Sequence, residues 1–329
     1  MVKIAIIGAG LAGLTLARSL QDIAQVTVFE KSRGLGGRLS TRRAEPFAFD
    51  HGAQYFTAKT DAFNDFLKPM IASNVVQAWD ARVVDIRDGQ VMNQRQWDAT
   101  CPHYVGSPGM SAIGRYLADG LDVRRQTHIQ SVVADERGWA LTDTDGEELG
   151  VFDWVISTAP VAQTAALLPP SFAAMSALPD LQMQGCFAVM LGFDQALPLD
   201  FDVARVVDTK IGWIAVNSSK PGRPDACRLV IHANNAWSQA HLDAPRDTVM
   251  TELCDAASDL LGLSLATAQH RAIHAWRYAN VDQPRTVRYL LDTDNQLAAA
   301  GDWCLEGRVE SAFSSAMALA DDLRKRLVH

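Results

Sequence analysis

A short apolar strand running straight into a glycine-spaced turn is the feature that most constrains this chain. Lys3-Ile4-Ala5-Ile6-Ile7 is apolar and rich in β-branched residues, as a buried parallel strand requires, and Gly8-Ala9-Gly10-Leu11-Ala12-Gly13 follows at once. Leu11, Leu14, Leu16, Ala17 and Leu20 carry helical spacing, and Gln25–Glu30 reads as a second strand that ends on an acid. Each glycine has its own task in this order. Gly8 permits the tight turn, Gly10 lets a pyrophosphate approach the backbone, and Gly13 lets the helix sit against the strand, while the helix N-terminus offers free N–H groups to the phosphates. Glu30 is placed to accept hydrogen bonds from an adenosine ribose. A glycine-rich strand-to-helix turn alone is open to a purely structural reading. Strand, glycines, helix, second strand and acid in succession predict a dinucleotide site.

The bulk numbers narrow the field further. A chain of 329 residues is long enough for two domains and a large core. The formal net charge of −8 gives no long-range attraction to nucleic acid or to an anionic membrane, so neither is an expected partner. No stretch approaches the ~18 apolar residues of a membrane span. Cys101, Cys186, Cys227, Cys254 and Cys304 are scattered, without a paired spacing or a His-rich neighbour. They read as reduced thiols of a cytoplasmic protein, with no metal site.

After Glu30 comes Lys31-Ser32-Arg33-Gly34-Leu35-Gly36-Gly37-Arg38, a second glycine-rich segment that a nicotinamide-only site does not need. Glu-x5-Gly-Gly-Arg resembles the flavin-containing amine oxidase superfamily, where this loop runs along the pyrophosphate of FAD and its Arg approaches the flavin. Within that superfamily, Trp213-Ile-Ala-Val-Asn-Ser-Ser-Lys-Pro-Gly-Arg223, Leu229-Val-Ile-His-Ala233 and Trp276-Arg277-Tyr278 are similar to the renalase-like bacterial branch. The resemblance covers nearly the whole chain. It implies an α/β fold: a Rossmann-type FAD-binding domain of the p-hydroxybenzoate hydroxylase/amine-oxidase kind, with an inserted antiparallel-sheet substrate domain. The expected division is 1–57, 101–178 and 276–329 for the FAD domain, with 58–100 and 179–275 for the substrate domain.

The same resemblance supplies further site residues. The Asp50-His51-Gly52-Ala53 corner is expected beside the flavin ring, which puts Gln54, Tyr55 and Phe56 at the isoalloxazine or the substrate cavity. The two rings fit equally well as core aromatics. A main-chain group near Ile129 is expected to meet the adenine. Gly301-Asp302 and Val309 are expected at the ribityl or phosphate portion and at the helix N-terminus facing the flavin pyrimidine. Here Asp302 stands where the amine oxidases more usually have Glu, and Ser311-Ala312 and Ser314-Ser315 replace Gly-Ala and Ser-Gly. The expected cofactor contacts are thus Gly8, Gly10, Leu11, Ala12, Gly13, Glu30, Lys31, Gly36, Gly37, Arg38, Gln54, Tyr55, Phe56, Ile129, Gly301, Asp302 and Val309.

The implied chemistry is hydride transfer from a small-molecule donor, a 2- or 6-dihydro isomer of NAD(P), to noncovalent FAD, with dioxygen reduced to hydrogen peroxide. The sequence shows no persuasive acid/base pair, so no catalytic side chain is singled out. Tyr55, Trp213, His232 and Trp276 are candidates for the pocket, each also explicable by packing. A phosphate-bearing donor calls for a cationic rim, for which Lys210, Lys220, Arg223 and Arg288 are candidates. Two alternatives remain open: an oxidase of small amines, with Lys210 or Lys220 holding a water near the flavin, and a flavin-binding protein without turnover.

Overall fold

Strand Lys3–Ile7 sits in the middle of a six-stranded sheet in the computed structural model, which describes residues 1–178, 181–224 and 226–328. The sheet runs Leu290–Asp292, Leu297–Ala299, Trp154–Ser157, Lys3–Ile7, Gln25–Glu30 and Asp122–Arg125. Every pairing is parallel except that of the outermost strand, Leu290–Asp292. Ile4, Ala5 and Ile6 are fully buried because helices or a second sheet cover both faces. Helix Leu11–Leu20 packs on one face together with the C-terminal helix Val309–Leu327, which Arg324 fastens through Asp22 and the Ser19 carbonyl.

The second large sheet has seven strands in the order His270–Val281, Met183–Phe193, Cys227–Ala233, Ile211–Val216, Val203–Val207, Arg82–Arg87 and Gln90–Gln96. All its pairings are antiparallel but one, Val203–Val207 with Arg82–Arg87. Helix Arg246–Leu261 covers its far face and stops at Gly262, whose φ of 62° is a left-handed cap that glycine adopts without strain. A three-stranded meander, Ile129–Asp135, Gly138–Asp143 and Glu148–Phe152, covers the other side of the parallel sheet. The mixed α/β class with a Rossmann-type sheet and an antiparallel companion is the expected one.

Several elements differ from the sequence reading for non-local reasons. In sequence Val123 reads as the start of the meander, but it pairs with Val28 at the edge of the parallel sheet. The apolar run 151–157 is two strands in two sheets, divided at Asp153, whose carboxylate and amide hold the two ends of Lys3's backbone. Strand His270–Val281 passes without a break through the expected boundary at 275/276. The expected boundary at Pro179 lies outside the described residues. Among the described residues, no helix is long and apolar enough to cross a membrane.

Candidate active site

Between the two large sheets runs a cavity of about 2250 Å³. One end is built by the first turn of the chain. Gly8 has φ +113° and donates to the Phe29 carbonyl across 2.8 Å. Gly13 does not line the cavity. A Cβ there would stand 2.0 Å from the Gly8 carbonyl oxygen, so its role is the close seating of helix on turn. Around Gly10, by contrast, a Cβ would meet no protein atom within 4 Å; it would project into open space. Helix Leu11–Leu20 starts there with no side-chain cap and no acid in its first turn. Its leading N–H groups and its positive dipole end are therefore left for an anion.

The Glu30 carboxylate accepts from Ala9 N at 2.9 Å and Ser32 N at 2.8 Å, which ties the end of the second strand to the glycine turn and to the following loop. That loop returns to the turn: Gly36 N donates to the Ala9 carbonyl at 2.8 Å, and Gly37, at φ +57°, lies so close that its Cβ would approach the Gly10 Cα to 3.2 Å. Lys31 is held by Gln163 at the cavity wall. Ile129 reaches the same end from the meander, and Thr158 closes it by donating from Oγ1 to the Gly8 carbonyl at 2.9 Å. The sequence marks Thr158-Ala159-Pro160 only as the close of a strand; its pairing beside Lys3–Ile7 is what makes it a wall.

At the centre, Arg38 grips Asp302 through both guanidinium nitrogens and also donates to the Ala279 carbonyl at 2.9 Å. One ion pair thus joins the loop near the start of the chain to the strand end near its finish. Gly301 N donates to Ser315 Oγ, and Val309 begins the last helix at the cavity, behind an Arg308 that makes no side-chain cap. The nearby Glu310 carboxylate is taken up by the backbone N–H groups of Lys59 and Thr60.

The far end is aromatic on two sides. Tyr55 and Trp213 stack at 5.5 Å between centroids, and Trp276 stacks on His51 at 5.2 Å while donating from its indole to the His51 carbonyl at 2.8 Å. His274 stands edge-on to both His51 and Trp276. His232 contacts the His51 carbonyl at 3.2 Å. Burial first, and then the charge of its neighbour, holds each of two imidazoles neutral: His51, beside His274, falls to about 4, and His232, beside Lys220, also to about 4. Phe56 reaches the cavity but packs its ring on Phe63 and Tyr104, as a core residue does.

Behind Gln54 lies a buried charge cluster. Asp50, fully buried, accepts from Thr41 Oγ1, Met110 N, Lys220 and Arg223. Burial raises its proton affinity, but the Lys220 and Arg223 charges outweigh that and hold the carboxyl below its ordinary range. Burial lowers Lys220 to about 8, with Asp50 opposing the shift. The expected cationic rim is therefore not where the sequence reading placed it. Lys220 and Arg223 are inside, because the Pro221-Gly222 turn folds Arg223 back on the Gly106 carbonyl. Lys210 pairs with Glu252, and Arg288 is exposed away from the cavity. The basic side chains that do line the cavity include Arg33, Arg42, Arg43, Arg115, Arg125 and Arg308, none of which the sequence distinguishes from a solvated surface residue.

All the expected cofactor contacts except Gly13, and all four pocket candidates, lie along this one cavity. Its shape suits FAD: an uncapped helix start with free space at Gly10 for a pyrophosphate, a carboxylate for a ribose, and an aromatic chamber for a flat ring. No cluster of metal-ligating side chains occurs among the described residues.

The pattern of an NAD(P)-binding Rossmann-like domain matches residues 6–69. That of the flavin containing amine oxidoreductases matches residues 93–324. In solved structures, the chain resembles a protein assigned as protoporphyrinogen oxidase from Exiguobacterium sp. 255-15, with a TM-score of 0.80 at 13% identity over 99% of both chains. It also resembles a putrescine oxidase redesigned in its cofactor binding, with a TM-score of 0.71 at 12% identity over 99% of both chains. At such identities these likenesses speak for the fold alone.

Proposed function

The chain belongs to the flavin containing amine oxidoreductase family, a family of flavin-dependent oxidoreductases, and on that premise we propose that it is an FAD-dependent oxidase of 2- and 6-dihydro-NAD(P) isomers. The observation that carries this reading is the charge of the cavity wall. In a chain of net charge −8, basic side chains dominate the lining, and its acids Glu30, Asp302 and Glu310 are already engaged. Such a wall favours a phosphate-bearing donor over a cationic amine. The volume supports it too: about 2250 Å³ exceeds the roughly 300–1,000 Å³ of a site for one drug-sized ligand, which leaves room for an extended cofactor and a second dinucleotide.

Bound noncovalently along Gly8–Arg38 and Asp302, FAD supplies the acceptor for a hydride and the route by which its electrons reach dioxygen as hydrogen peroxide. The side chains do the rest by binding and orienting. A dihydropyridine that loses hydride becomes an aromatic pyridinium and has no N–H proton to shed. Neutral His51 and His232 and the aromatic faces of Tyr55, Trp213 and Trp276 are then sufficient, with no general base. Lys220 is buried behind Gln54, to which it donates, and does not line the cavity, which speaks against its holding a water there. The cavity-lining Cys186 supports a noncovalent cofactor: burial pushes its thiol up to about 12, so it stays protonated and a poor nucleophile. The reading keeps a cytoplasmic location and the two-unit division, with the Rossmann-type sheet holding FAD and the seven-stranded sheet covering the donor.

Anaerobic stopped-flow mixing of the holoenzyme with borohydride-made dihydro-NAD isomers, beside a panel of small amines, tests the proposal. Rapid bleaching by the isomers is expected. Bleaching only by an amine would transfer the protein to the amine oxidases, and no bleaching by either would leave a flavin-binding protein without turnover.

A further inference from the structure

Strands Thr41–Ala44 and Phe47–Asp50 form a two-stranded ribbon at the cavity, with Arg42 opposite Phe49 and Arg43 opposite Ala48. Successive side chains of a strand leave on opposite faces, so the two guanidiniums stand on either side of the ribbon, and both reach the cavity wall. Arg42 lies toward the imidazoles. Burial is the main cause of the lowered proton affinity of His51, His270 and His274, and in each the charge of Arg42 adds to it. Arg43 lies toward helix Ser111–Ala118, where burial and then the Arg43 charge lower the proton affinity of Arg115.

Neither Arg42 nor Arg43 makes a side-chain hydrogen bond or an ion pair among the described residues, although both are charged side chains at a cavity wall. Several other arginines of this acidic chain do have carboxylate partners: Arg38 with Asp302, Arg82 with Asp202, Arg95 and Arg205 with Asp85, and Arg324 with Asp22. An unpaired cation on a concave wall raises the local concentration of anionic ligands. A guanidinium is also the side chain best shaped for phosphate oxygens, which it meets with two parallel N–H donors.

We propose that Arg42 is the anion contact that selects the hydride donor by its pyrophosphate, while the donor's nicotinamide lies against Trp276 and His51. This rests on the functional reading above, which supplies the dinucleotide donor. The specificity it adds is against phosphate-free dihydropyridines and against amines.

Two measurements on the FAD-loaded enzyme test it. Calorimetric titration with ADP-ribose, which carries the pyrophosphate without a reactive ring, should show at least a tenfold weaker Kd in Arg42→Ala and an intermediate value in Arg42→Lys. In flavin reduction, the preference in kcat/KM for dihydro-NAD isomers over phosphate-free N-benzyl-dihydronicotinamide isomers should fall at least tenfold in Arg42→Ala, with the loss in KM. Unchanged ADP-ribose affinity and unchanged preference would overturn the subsite, as would an equal loss for both donor types. If the unsubstituted enzyme is reduced by neither donor, the functional reading fails, while the ADP-ribose comparison still decides the subsite.

Discussion

Lys220 donates to the Oε1 of Gln54 across 3.1 Å, which sets a buried ammonium one amide behind the cavity wall. The contact also fixes which way the amide points, since Gln54 Nε2 then faces the carbonyls of Asp50 at 2.5 Å and Gly52 at 3.1 Å. One cation therefore shares with Arg223 the pairing of Asp50 and also orients a cavity residue.

Replacing it with an apolar side chain of similar length removes both effects. Lys220→Met leaves Asp50 with Arg223 as its one basic partner and strips Gln54 Oε1 of its donor. Asp50 keeps a balancing charge, so the cost is that of the buried Gln54 oxygen left without its donor, about 1–3 kcal/mol. Thermal melting of the holoprotein should show a Tm several degrees lower. A curve that superimposes on the parent's would mean that the cluster contributes nothing to stability.

The glycine turn gives a prediction that separates folding from binding. In Gly10→Ala the new methyl meets no protein atom within 4 Å, so the chain should fold as before; it occupies the space meant for the pyrophosphate, so FAD affinity should fall at least tenfold. In Gly13→Ala the methyl would lie 2.0 Å from the Gly8 carbonyl oxygen, so soluble expression and the apoprotein melt should suffer first. FAD titration of both apoproteins, with melting curves, distinguishes the two outcomes. Normal FAD affinity in Gly10→Ala would displace the pyrophosphate from this turn.

Acid should destabilise the aromatic end. His51 is buried and its pKa is lowered from 6.5 to about 4, so the unfolded chain takes up a proton before the folded one as pH falls. Stability from this group is full above pH 6.5, is lost between 6.5 and 4, and changes no further below. The whole span is worth roughly 3 kcal/mol at 1.36 kcal/mol per unit. Urea midpoints measured across that range should fall more steeply for the parent than for His51→Asn. Parallel slopes would show that the ring is not held neutral.

How much of this was legible in the chain follows from the range of each interaction. The Gly8–Gly13 turn and Glu30 are readable because strand, turn, helix and strand are local and their spacing is itself the geometry. The Gly36-Gly37-Arg38 loop is readable only through resemblance, and its clasp on Asp302 joins residues far apart in the chain. The sequence reading set the His51 corner beside the flavin without singling out the imidazole, and it missed His274 and Arg42 as cavity residues, since nothing local tells a wall from a solvated loop. It set Lys220 and Arg223 on a rim because a basic Pro-Gly turn is usually exposed, whereas here Asp50 draws both inward. The split at Asp153 was equally hidden: its reason is the far-off backbone of Lys3.

Acid precipitation of the purified protein, followed by absorbance and chromatography of the supernatant, tests the central claim most directly. Yellow protein that releases about one intact FAD per chain, and whose apoprotein takes it up again, is the predicted result. A colourless protein that binds no added FAD, or a flavin that stays with the precipitate, would contradict it.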